Sequence, residues 1–203
     1  NRTLNGAFFN GLTEYMKIYA KKNGYEIITT DATGNMNKQI SDVEDMFSQG
    51  IDILVLNPQD PAAGVNIAKK AAAKKIPVID LDSDISLDAP VITRVMANNA
   101  VNNKMLGEYT VKMFGDKPIN AVLISGNQGS LVGASRRDNY MAGVMEEQLR
   151  LYGHTNFTVL MQGWGNWDQQ GGLKAMEDAL VAHGDKINLV YSEMDDMALG
   201  AIR

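Results

Sequence analysis

Apolar residues recur along the chain with two alternating periods. From Ala7 to Asn23 they fall at Phe8, Leu12, Tyr15, Met16 and Tyr19, the spacing of one helix face, and Gly24 ends the run. Tyr25 to Thr30 (YEIITT) is β-branched and short, which predicts a strand. Met36 to Gln49 returns to helical spacing at Ile40, Val43, Met46 and Phe47, and Gly50 stops it. Ile51 to Leu56 predicts a strand closed by the turn pair Asn57-Pro58; Ala62 to Lys75 predicts a helix; Ile76 to Leu81 and Pro90 to Met96 predict two more strands. The second half repeats the scheme: helix Asn98 to Phe114, strand Ile119 to Ser125, helix Ser135 to Tyr152, strand Phe157 to Met161, helix Asp168 to Ala182, strand Ile187 to Tyr191 and a closing helix from Asp195. Strand–helix alternation of this kind predicts an α/β chain whose parallel sheets carry helices on both faces. Ligands of such sheets gather beyond the carboxyl ends of the strands, so the strand-to-helix junctions are where chemistry is sought.

Composition narrows the possibilities. The chain has 203 residues, 45% hydrophobic and 21% charged, which excludes disordered, collagenous and coiled-coil classes. It contains no cysteine, so a disulfide scaffold, a thiolate zinc site and a cysteine nucleophile are all excluded. The net charge of −5 argues against general nucleic-acid binding, which needs clustered Lys and Arg. Charge is spread evenly: residues 1–98 hold ten basic and twelve acidic side chains, residues 99–203 nine and twelve. No Pro/Ser-rich linker separates the halves, which predicts a hinge between packed lobes. No apolar run approaches the ~18 residues of a membrane span, and no signal-peptide pattern opens the sequence. The end at DDMALGAIR reads as a helix without a stop signal, and the expectation is a fragment of a longer protein.

Four junctions collect polar and aromatic residues: Leu4 to Phe9 (LNGAFF), Asp80 to Asp84 (DLDSD), Gly126 to Arg137 (GNQGSLVGASRR) and Gly163 to Asp168 (GWGNWD). Aromatic faces stack on the C–H face of a sugar ring, while carboxylates and guanidinium forks bond its hydroxyls. The set therefore suits a polyhydroxylated ligand. Each feature also has a plain structural reading: Phe8 or Phe9 as core, Asp80 or Asp82 as a turn cap, Arg136 and Arg137 as a solvated helix start, Trp164 as packing, the twelve methionines as core filler. Catalytic patterns are absent. His154 and His183 share no carboxylate spacing that would hold a metal, and no nucleophile elbow, phosphate loop or dinucleotide motif is present. GNQGS reads as a plain βα loop in preference to an anion cradle.

Thr3 to Phe9 (TLNGAFF), Asn57-Pro58, Ile76 to Asp82 (IPVIDLD) and Asp195 to Ala201 (DDMALGA), in this order, resemble the ribose-type periplasmic sugar-binding proteins, the type I solute receptors of ABC transporters. The resemblance implies two Rossmann-like lobes, residues 1–98 and 99–203, each incomplete: a first strand is expected before Asn1, and further strands and a return crossing after Arg203. It also implies a monosaccharide or related polyol bound between lobes that close on it. No cofactor, no metal and no enzymatic activity are expected; the partners expected are an ABC transporter permease and, in some members, a chemoreceptor. Nucleic acid and direct membrane insertion are not expected, and the protein is expected to act as a monomer. The implied location is the periplasm, or the outer surface under a lipid anchor.

By the same resemblance, Asn5, Phe8 and Phe9 look like first-lobe contacts, although Gly6-Ala7 stands where the family often has Asn-Pro. Asp82 is similar to the family's hydroxyl-binding aspartate, followed here by Ser83-Asp84 where ribose binders carry arginine, which points away from ribose itself. Arg137, with Arg136 as its alternative, looks like the second-lobe arginine, and Trp167 like its stacking aromatic. Met194 stands where the family has a ligand asparagine, so the expectation is that Glu193 or Asp195 substitutes or that the contact is lost. The same core serves LacI-type repressors, and an effector domain of that kind is the second reading; a signal peptide or a helix-turn-helix upstream separates the two.

Overall fold

The computed structural model describes residues 1–4 and 6–203. It divides into two units, Asn1–Ala97 and Asn98–Arg203.

The first unit runs α1 (Ala7–Lys22), α2 (Met36–Ser48), β1 (Leu54–Leu56), α3 (Pro61–Ala73), β2 (Val78–Leu81) and β3 (Thr93–Val95). Its three strands pair in parallel in the order β1-β2-β3, with Leu54 opposite Val78 and Asp80 opposite Arg94. Helix α2 starts where the Asn35 side chain accepts from Lys38 N–H, and α3 where Asp60 accepts from Ala63 N–H with Pro61 just inside; both are satisfied N-caps. The core joins Val43, Met46 and Phe47 of α2, Leu54 and Leu56 of β1, Ile67, Ala68 and Ala71 of α3, and Val78 and Ile85. The alanines of α3 are the close-packing positions: Ala68 and Ala71 are fully covered.

The second unit runs α4 (Asn99–Phe114), β4 (Ile119–Ser125), α5 (Leu131–Tyr152), β5 (Phe157–Trp164), α6 (Gln169–His183), β6 (Leu189–Ser192) and α7 (Asp195–Ile202). Its parallel sheet has the order β5-β4-β6, so β4 is central. That explains the continuous apolar run from Ala121 to Ile124: both faces of β4 are covered, by a cluster containing Ala121, Leu123, Tyr140, Val144 and Tyr191 and by another containing Val122, Ile124, Ala175, Ala179 and Met197. Helices α4 and α5 cross at backbone contact. A Cβ added to Gly107 would lie 2.4 Å from Tyr140 O, and one added to Gly143 would lie 2.2 Å from Lys104 O.

Three expectations are corrected. Residues 25–30 join no sheet; the segment is mostly exposed and is tied instead to the first residue, Asn1 N–H donating to Thr30 O (3.2 Å). β-Branched composition favours a strand only where a neighbour completes the ladder, and no described residue does so here. Helix α5 begins at Leu131, four residues before the expected Ser135, because Ser130 caps it by accepting from Gly133 N–H. Strand β5 continues past Met161 to Trp164 along the edge of β4. Of the methionines, Met46 and Met197 are buried but Met105 and Met113 on α4 are exposed, so core filling does not describe them all.

Candidate functional site

Parallel pairing puts every strand's carboxyl end on one edge of its sheet, so the loops after β1, β2 and β3 meet in the first unit, and those after β5, β4 and β6 in the second.

In the first unit the centre of that edge is Asn57, just after β1 and 1% exposed. Its Nδ2 donates to Leu81 O and to Ser83 Oγ, both at 3.0 Å, its Oδ1 accepts from Arg2 N–H (3.4 Å), and its carbonyl accepts from Gln39 Nε2 (2.8 Å). The side-chain amide thereby ties two chain segments to β1 and the backbone carbonyl a third, and both polar groups of the amide are engaged. Beyond β2, Asp82 sits at the middle of a γ-turn: Ser83 N–H donates to Leu81 O (2.7 Å), and Asp82 has φ 64. A non-glycine residue in the left-handed region is strained by about 1–3 kcal/mol and is kept where surrounding contacts over-determine it. Here the Asn57 bonds and Asp82 N–H to Val95 O (2.9 Å) do so. Phe9 is buried, while Phe8 is 45% exposed and meets Phe9 edge-on at 5.2 Å. Asn5 lies outside the described residues.

Asp80, two residues before Asp82, is completely buried with the Arg94 guanidinium 3.6 Å away. Burial pushes its carboxyl up to about 6; the Ile85 N–H and Arg94 pull it back only in part, and Asp84 and Asp82 push it further up. The folded state therefore holds this proton more tightly than the unfolded chain. Stability linked to Asp80 is full below about 3.8 and is lost as pH rises through about 6, by up to about 3 kcal/mol. The Asp80→Asn variant should lose less stability than the parent between pH 4 and 6.5. Denaturant unfolding of both across that range tests this; parallel pH profiles would mean that Arg94 and the Ile85 N–H fully offset burial.

In the second unit the strand-end loops converge on Arg136, Arg137, Trp167 and Glu193. Arg136, on α5, donates from Nε to Asn99 Oδ1 (2.9 Å) and from Nη1 to Glu193 O (2.8 Å), with its guanidinium carbon 5.7 Å from the Trp167 ring centroid. Arg137 points to two carboxylates, Asp138 at 3.2 Å and Glu193 at 3.8 Å. The Glu193 side chain is wholly covered; its Oε2 accepts from Gly126 N–H (2.8 Å), and burial raises its carboxyl above the ordinary range despite that bond and the two arginines. Trp167 has φ 65 and follows Asn166 at φ 52, so its loop too is held in the left-handed region. The ring lies flat on Gly126: a Cβ there would come within 2.0 Å of Trp167 Cε2. Glycine at 126 is what admits the indole.

The expected residues are thus placed as follows. Asp82 lies in the first unit's strand-end cluster and Phe8 in the first turn of α1 with an exposed ring, whereas Phe9 is core. Arg137 and Trp167 share the second cluster with Arg136. Asp195 is exposed in the first turn of α7 beside Asp196, where acidic side chains complement the helix dipole. Asp168 serves as the N-cap of α6, accepting from Gly171 N–H at 2.7 Å. Trp164, expected to pack, is 41% exposed at the end of β5. Sequence reasoning did not find Asn57 as an organiser, Arg2 as its neighbour, or Asn99 as the partner of Arg136; only Asn57 carried a signal, its place after a strand. His154 is on the surface, 2.9 Å from Asp116, and no metal-binding group occurs among the described residues. No helix described is long and apolar enough to cross a membrane.

Comparison with known proteins agrees with this architecture. A family model described as a periplasmic binding protein domain matches residues 1–203. The ribose import binding protein of Salmonella typhimurium is 31% identical over 201 residues, covering 99% of this chain and 64% of that protein. The ribose import binding protein of Bacillus subtilis is 30% identical over 200 residues, with 98% and 62% covered. The crystal structure of an ABC transporter solute binding protein from Mycobacterium smegmatis, with bound glycerol, matches at TM-score 0.89 and 31% identity, over 98% of this chain and 66% of that one. A galactofuranose binding protein matches at TM-score 0.90 and 26% identity, over 98% and 67%. The chain spans about 64% of the length of the Salmonella relative. Its two parallel α/β units are those of the type I periplasmic binding proteins, and with all of residues 1–203 matched the chain belongs to the periplasmic binding protein domain family.

Proposed function

We propose that the chain is the ligand-binding part of an extracytoplasmic solute receptor of an ABC importer, and that its ligand is a monosaccharide or related polyol. One observation carries the reading. In each unit a residue able to grip a sugar, Asp82 in the first and Trp167 in the second, is held at positive φ at the carboxyl edge of a parallel sheet. An ionised aspartate accepts from two adjacent hydroxyls, and an indole covers the C–H face of the ring. Arg136 lies beside that indole and Arg137, next to it on α5, faces the Glu193 carboxylate, so the cluster also holds guanidinium donors. Glu193 is committed inside the unit, so Asp195 is the acid left exposed near Met194.

The relatives named above support an importer over the repressor reading, since their names describe import and solute-binding proteins. A permease is the expected reader of the liganded state, with a chemoreceptor as a second reader, and the receptor is expected to work as a monomer in the periplasm or under a lipid anchor. No step here calls for a cofactor or for catalysis. Titration calorimetry with D-ribose, D-xylose, D-galactose, myo-inositol and glycerol should show micromolar or tighter binding of at least one. Absence of binding at millimolar concentration across the set, by protein with a cooperative unfolding transition, would refute the sugar reading.

A further inference from the structure

The first unit contains a guanidinium that the family resemblance does not account for. Arg2 precedes α1 and is anchored by its own N–H to Asn57 Oδ1. The same Asn57 side chain donates to Leu81 O and Ser83 Oγ, the two flanks of the turn that carries Asp82. Arg2 is therefore tied by one amide to the Asp82 turn. Its guanidinium carbon stands 6.0 Å from the centroid of the Phe9 ring, so the fork is also near that ring. Its Nε is buried and meets no hydrogen-bond acceptor among the described residues. Burial lowers the Arg2 pKa from its ordinary value, and the Asp82 carboxylate acts in the opposite sense, so the two charges feel one another.

Position 83 cannot supply such a fork. It is serine, and its hydroxyl is already engaged by Asn57 at 3.0 Å. A desolvated guanidinium donor with no acceptor is unfavourable until a ligand oxygen provides one.

We infer that Arg2 is a specificity-determining residue of the sugar site, donating from its guanidinium to one hydroxyl while Asp82 accepts from the neighbouring one. The inference rests on the sugar-binding reading. The pair sums to zero charge, which suits a neutral ligand carrying vicinal hydroxyls. Its fork comes from the segment before α1, so the reach and angle of the donor differ from those of an arginine placed directly after the aspartate. A ligand preference distinct from that of ribose binders follows.

The test uses the full chain and the same five probes, D-ribose, D-xylose, D-galactose, myo-inositol and glycerol, with thermal unfolding recorded for every variant. The probe bound best by the parent is then titrated into Arg2→Ser, Arg2→Lys and the double variant Arg2→Ser/Ser83→Arg. Arg2→Ser should weaken binding ~10-fold or more. Arg2→Lys should also weaken it, because an ammonium lacks the planar fork. The double variant should recover part of the loss or shift the order of preference among the probes. Unchanged affinity in a normally folded Arg2→Ser or Arg2→Lys overturns the role of Arg2 and leaves the sugar reading standing, whereas a parent that binds none of the probes overturns both. If Arg2→Ser does not fold, Arg2→Lys decides, since it keeps an apolar stem and a positive charge beside Phe9.

Discussion

Trp167→Ala is expected to abolish sugar binding and to destabilise the second unit at the same time. The indole is bound on one face by the Cα of Gly126 and lies 5.7 Å from the Arg136 guanidinium. It also borders the cluster of Val122, Ile124, Ala175 and Met197. Truncation removes the proposed stacking surface and the ring beside Arg136 together. Affinity should fall at least 100-fold, about 3 kcal/mol, and stability by about 2–4 kcal/mol, near the lower end of Trp→Ala changes because the ring is partly exposed. The backbone gives a second handle. At φ 65, glycine is more comfortable than alanine, so Trp167→Gly should lose the same affinity but unfold about 1 kcal/mol later than Trp167→Ala. Calorimetry separates the two effects from chemical unfolding. Full affinity in Trp167→Ala would remove this residue from the ligand site.

The second large effect is purely structural. Gly143→Ala should cost the second unit about 3 kcal/mol or more, because the new methyl would meet Lys104 O at 2.2 Å and Lys104 Cα at 2.9 Å. Backbone cannot swing aside as a long side chain can. Gly107→Ala meets Tyr140 O and Val144 N in the same way, at 2.4 and 2.7 Å. Both substitutions force α4 and α5 apart, so the double variant should be less destabilised than the two single costs added together. Unfolding midpoints in denaturant measure this. Additive costs would show that the helices yield locally instead of separating.

The α/β pattern was legible because the covered strands are written as apolar runs and the helices as stripes, β4 most plainly. Legibility failed where structure depends on a remote partner. YEIITT has the composition of a strand, yet residues 25–30 join no ladder in the described structure. The start of α5 was misplaced because the cap at Ser130 involves no apolar residue, and periodicity registers only those. At the site, Asp82 and Trp167 could be picked out from their places after strands, but their positive φ could not. Neighbouring helix positions differ by about 100° in direction. Which of Arg136 and Arg137 faces the indole is thus a matter of helix rotation, which an arginine pair in sequence does not encode. Asn57 was visible as part of a turn, but its bonds reach 18 to 55 residues away and leave no local trace.

The glycine crossing of α4 and α5 bears on how ligand binding is divided between order and contact. Asn99 begins α4, Arg136 is on α5, and the two are joined at 2.9 Å across a helix pair whose backbones touch. The pair is joined backbone to backbone, and the guanidinium it carries is held by two hydrogen bonds in the folded unit. A ligand that meets Arg136 therefore does not have to freeze it, which spares about 0.5–1.5 kcal/mol that a mobile side chain would lose on binding. Gly107 and Gly143, by letting the two backbones touch, are thus the residues on which that saving would rest in the proposed receptor.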